Sequence, residues 1–166
     1  MYIEFNELPD HARLWIYQAS RKFSAVEEKV IHDEAHFFCD QWTAHGEPLK
    51  TSFKIEHNQF LILAVDEGLN GASGCSIDES VHMLKSHQDR SGIDFFDRSK
   101  VAFLVNQEVI LIPLTQLKEA FASGTLGSVP LTFNVQATSK GAWEKNWILP
   151  ASKTWLTRYL SKTPVA

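Results

Sequence analysis

The chain has 166 residues, 44% hydrophobic and 22% charged, with a formal net charge of −4. That size and composition suit one globular domain with a substantial core. They also exclude two classes: the longest strongly apolar run, Phe60 to Val65, is far short of the roughly 20 residues of a membrane helix, and the N-terminus lacks a basic segment followed by an apolar one. No membrane insertion is expected, and two cysteines, Cys39 and Cys75, point to a cytoplasmic protein in a reducing compartment rather than a disulfide scaffold.

In chain order, Arg13 to Ala19 reads as a short strand or a helical turn, and Trp, Ile and Tyr favour the strand. Ser24 and Glu27 form a capping box that opens a helix reaching about Trp42. Phe23, Val30, Ile31, Ala35, Phe38 and Trp42 share one broad face of it at 3.6-residue periodicity. His32 and His36 lie four apart, the spacing of a zinc-binding helix face. Asp33 stands where a metalloprotease needs Glu, so both are read as surface histidines and no metal is expected. His45-Gly46-Glu47-Pro48 turns the chain. Thr51 to Glu56 and Phe60 to Val65 then form a hairpin about His57-Asn58-Gln59, the second strand apolar on both faces.

A loop with three glycines follows Asp66-Glu67, and a helix begins near Ser76, where Ser76 and Glu79 make a second capping box. It runs to about Arg90. Val101–Val105 and Val109–Ile112 flank a turn at Asn106-Gln107-Glu108. A short helix over Thr115 to Ala122, a strand over Leu131 to Val135 and two short aromatic helices about Pro150 complete the chain. Hairpins interspersed with helices predict one α+β domain over residues 1–166, with a five- or six-stranded, mostly antiparallel sheet and helices packed on it.

The segment from Asp66 to Glu79 is the candidate site. Strand, glycine-rich loop and helix N-terminus are where phosphate cradles, nucleophile turns and binding loops are built. Phe60 to Glu67 has the shape of a Walker B strand, but the loop does not match a phosphate loop. Gly68 and Gly74 enclose five residues instead of four, and Cys75 stands where Lys is needed. Asp66, Glu67, Asp78 and Glu79 add like charge. The expected ligand set is Asp66, Glu67, Ser73 and Ser76, with no cofactor, for an unknown small molecule or protein.

Cys75 carries the enzymatic alternative, acyl transfer or hydrolysis by its thiol. A helix N-terminus stabilises a thiolate, and His45 is the candidate base because His82 is two helical turns away, about 10 Å. The last segment, from Thr138, holds five basic residues (Lys140, Lys145, Lys153, Arg158 and Lys162) against Glu144, leaving −8 on the rest. Its cations alternate with Trp143, Trp147 and Trp155, a pattern of single-strand binders. An acidic remainder repels polyanions, so these three tryptophans are expected to be mostly buried and nucleic-acid binding absent.

Residues 42–49 (WTAHGEPL), 60–67 (FLILAVDE), 72–81 (ASGCSIDESV) and 95–103 (FFDRSKVAF) resemble a family of small bacterial proteins of unassigned function. The similarity extends to the RLWIYQ segment and the WL-x-RYL ending, most of the chain. Members are often labelled "ABC transporter ATPase", so the resemblance implies ATP hydrolysis as an alternative to binding. It supplies no catalytic residues to carry over.

Overall fold

The computed structural model describes residues 1–68 and 70–160; Lys162 lies outside them. The elements in chain order are β1 (Arg13–Gln18), α1 (Ala25–Gln41), β2 (Thr43–Ala44), β3 (Glu47–Pro48), β4 (Lys50–Glu56), β5 (Phe60–Asp66), α2 (Gly74–Ser91), β6 (Lys100–Val105), β7 (Glu108–Pro113), α3 (Leu117–Ala122), β8 (Leu131–Phe133), α4 (Lys140–Asn146) and β9 (Ile148–Pro150). The α+β class is as expected, and every ladder is antiparallel. The expected single sheet of five or six strands is not found. The strands divide into sheets of three, two and four. The residues cluster into two compact units, one of Met1–Asp97 with Val135–Lys145, the other of Arg98–Asn134 with the described residues from Asn146 onward.

In the first unit β5 is the centre of the order β1-β5-β4, and Phe60 to Val65 are all buried. Its apolar residues meet covered faces on both sides, as a continuous run requires. Both outer edges are occupied by irregular chain. Leu14 N–H donates to Thr138 O at 2.9 Å beside β1, and Ile3 N–H donates to Thr51 O at 2.9 Å beside β4. Occupied edges offer no further ladder groups, so this sheet stops at three strands.

The β4–β5 turn places His57 and Asn58 at φ 50° and 52°, and the two-residue β6–β7 turn places Asn106 and Gln107 at 50° and 66°. Positive φ at consecutive turn residues suits the right-handed twist of a hairpin. A third such turn, His45 (53°) and Gly46 (80°), joins β2 to β3.

Helix α1 starts as read: Ser24 Oγ accepts from Glu27 N–H at 3.2 Å, and Glu27 Oε2 accepts from Ser24 N–H at 2.9 Å. The Arg21 guanidinium and the Ser24 N–H hold the Glu27 carboxyl down at about 2. The inward stripe is Ile31, Ala35 and Cys39, whereas Val30, expected inward, is exposed. One residue is a 100° step, which carries Val30 off a stripe centred on Ile31. Burial pushes the Cys39 thiol up to about 12. His32 and His36 are exposed but pack on Phe53 and Tyr2, with centroids 5.1 and 4.3 Å apart. Among the described residues no group of three or more His, Cys, Asp or Glu is placed to hold a metal.

Helix α2 begins earlier than Ser76. Ser73 is its N-cap, accepting from Ser76 N–H at 3.2 Å, and Gly92 closes it at φ 72°. The earlier serine wins because the Ser76 hydroxyl is itself turned back, donating to Ser73 O at 2.8 Å. Phe23, Trp42, Phe53, Leu61, Leu63, Leu84 and Phe95 lie in the core between α1, α2 and the sheet. On α4, Trp143 packs edge-on to Phe5 at 5.6 Å, and Lys140 is buried, donating to Leu8 O at 2.8 Å. Lys140 is therefore a structural cation.

The second unit has the order β7-β6-β8-β9, with Phe103, Leu117, Leu126 and Leu156 in its core. Short helices flank Pro150 in the chain as expected, α4 before it and a 3-10 helix over Trp155–Tyr159 after it, and between them β9 forms and pairs with β8. Trp143 and Trp147 are buried, but Trp155 is 44% exposed under the Arg158 guanidinium. No helix among the described residues is long and apolar enough to cross a membrane.

Candidate binding groove between the two long helices

The expected ligand set is brought together at the end of β5 and the start of α2, with its polar atoms engaged in shaping the loop. Asp66 Oδ1 accepts from Gly68 N–H at 3.0 Å and lies 3.3 Å from His11 Nε2. Glu67 Oε1 accepts from Ala72 N–H at 3.1 Å and from Arg13 Nη1 at 3.3 Å. Ser73 caps α2, and Ser76 is buried. A side chain on Gly68 would place its Cβ 3.1 Å from Asp66 Oδ1, so glycine permits this turn.

Cys75 is exposed on the first turn of α2, and His45 is exposed at the β2–β3 turn. Among the described residues no hydrogen bond joins the thiol to His45 or His82. A nucleophile–base pair requires such contact.

Beside this loop, α1 and α2 pack antiparallel and are pinned at two points. Trp42, which ends α1, donates its indole Nε1–H to Ser76 O at 2.8 Å. At the other end the Glu34 carboxylate reaches from α1 to two residues of α2, taking His87 Nδ1 at 2.7 Å and Arg90 Nη1 at 2.5 Å. Burial alone would push the Glu34 carboxyl up, but hydrogen bonds from Arg90 and His87, with their charges, outweigh it and hold the group below its usual range. The backbone between the two pins spans eleven residues of α2, about 16 Å along the axis.

Between the pins the helices leave a groove of about 410 Å³. Glu34, Phe37, Phe38, Gln41 and Trp42 line it from α1, and Glu79, Met83, Ser86 and Arg90 from α2. Both sets follow the three- and four-residue steps of one helix face. Phe38 stacks obliquely on Trp42 with centroids 4.8 Å apart, giving a firm aromatic wall. Phe37, by contrast, is 71% exposed at the rim. Cys75 lies four residues before Glu79, so it continues the α2 stripe by one turn.

Among the described residues of the expected site segment, only Glu79 reaches the groove wall. Sequence reasoning missed Glu34, Phe37, Met83 and Arg90. The one available signal was Phe37 itself, a large apolar residue adjacent to the inward Phe38 and on the side turned from the core. Comparison with protein-family models, curated proteins and solved structures gave no significant match to the chain.

Proposed function

We propose that this is a binding protein rather than an ATPase, and that its site is the α1–α2 groove with the first turn of α2 at one end. The observation that carries this reading is an open groove of about 410 Å³ between helices pinned at both ends. Packed helices normally fill their shared face. A persistent gap lined by Phe37, Phe38, Trp42 and Met83, with a few polar groups, has the size and make-up of a small-molecule site. The pins fix the two walls relative to each other, which lowers the ordering cost of binding.

The ligand this groove suits is small and amphiphilic. Nile red, a neutral apolar dye, is the direct probe: its fluorescence should rise with the native protein and fall back when Met83→Trp fills the groove. Dye binding that persists unchanged in a folded Met83→Trp variant would place the apolar site elsewhere. The ATPase reading has its own test. Magnesium-dependent ATP hydrolysis abolished by Asp66→Asn would overturn the proposal. Thiol chemistry at Cys75 has less support, because among the described residues no imidazole is in hydrogen-bond contact with the sulfur.

A further inference from the structure

We infer that the groove selects a small organic cation, an alkyl- or arylammonium whose apolar body lies on Phe38, Trp42 and Met83 and whose charged head meets Glu79; the inference rests on the groove being the binding site. Its basis is the charge left over along the groove. At one end Glu34 and Arg90 are bonded to each other, so their charges cancel. Toward the other end Glu79 lines the wall and makes no hydrogen bond or ion pair among the described residues. The only uncompensated formal charge on the lining is therefore one carboxylate.

The walls favour the same ligand. Aromatic faces attract cations through their quadrupole, most strongly where water is partly excluded. An anionic ligand gains less, because the Arg90 charge is already met by the Glu34 carboxylate and Glu79 on the same lining repels it. A free small molecule fits better than a peptide. The Trp42–Ser76 and Glu34–Arg90 bridges cross the helix interface at either end, so a continuing polypeptide has no exit along the groove floor.

Octylammonium, octanol and octanoate, all kept monomeric, form a matched series for calorimetric titration of the whole chain. Octylammonium should bind about tenfold more tightly than octanol, and octanoate more weakly than either, the scale of one charge-assisted contact. Glu79→Gln, an exposed isosteric change whose folding circular dichroism verifies, should bring octylammonium down to the octanol affinity while leaving octanol unchanged. Gln41→Glu adds a carboxylate to the α1 wall and should tighten octylammonium a few-fold. Equal binding of octylammonium and octanol, unaffected by either substitution, would overturn the cation inference yet leave the groove as the site. Octanoate binding best would overturn it in favour of Arg90. A blocked lysine peptide that outcompetes octylammonium would assign the groove to a protein side chain instead. No heat with any of the three probes, together with Nile red binding that survives Met83→Trp, would remove the groove reading itself.

Discussion

The loop from Asp66 to Ser76 and the groove between α1 and α2 adjoin each other and treat their polar groups in opposite ways. In the loop each acid and hydroxyl bonds to backbone or side chains within its own turn or on the neighbouring β1 region. In the groove, Glu34 reaches 53 residues along the chain to His87, and Glu79 makes no hydrogen bond or ion pair among the described residues. Satisfied polar groups build structure, whereas a polar group left unpaired on an apolar wall is available to a ligand. A motif-like loop can therefore be scaffold, with the binding surface one turn away.

The strongest way to break this comparison is to remove a pin. Trp42→Ala deletes a side chain that is almost fully buried and the bond to Ser76 O. It should cost about 3–5 kcal/mol in chemical denaturation and abolish ligand binding at the groove. A loss below about 1 kcal/mol would mean that the helices are held by other contacts.

Glu34→Ala comes next, at about 2–3 kcal/mol, because it leaves the His87 ring buried without its carboxylate. This contribution depends on pH in a definite sense. The Glu34 carboxyl titrates lower in the folded chain than the roughly 4.3 of an unfolded one. The stabilisation is then fully present above that value and fades as pH falls through the depressed folded one. Stability curves of native protein and variant should converge in acid, and curves that stay parallel down to the lowest measurable pH would contradict the assignment.

Smaller effects sharpen the loop side. Ser73→Ala should cost about 1 kcal/mol, as loss of an N-cap does. Glu79→Ala should change stability by less than about 0.5 kcal/mol, since Glu79 is exposed and caps nothing. The reverse order would restore the Ser76–Glu79 capping box that the sequence suggests.

That reversal marks the limit of what could be read from the residues. The Ser24–Glu27 box, the β4–β5 and β6–β7 hairpins and the buried Phe60–Val65 run of β5 were legible because each is decided within a few residues. The start of α2 was not, since Ser73 and Ser76 offer the same short-range signal and only the turned-back Ser76 hydroxyl chooses between them. Three separate sheets were equally hidden, because they depend on residues 1–3 and 138–139 covering the edges of β1 and β4. Within the groove, Glu79 belonged to a segment already singled out, but Glu34, His87 and Arg90 meet only after two helices pack. No spacing along the chain encodes that encounter.

The central claim is that ligands enter between the two pins and not at the glycine loop. Backbone-amide NMR of the isotope-labelled chain, titrated with octylammonium, tests it most directly. The account predicts shifts that saturate together at Phe37, Phe38, Trp42, Glu79 and Met83, with Gly68 and Gly71 nearly still. Shifts confined to residues 66–72, with Phe38 and Met83 unmoved, would contradict it.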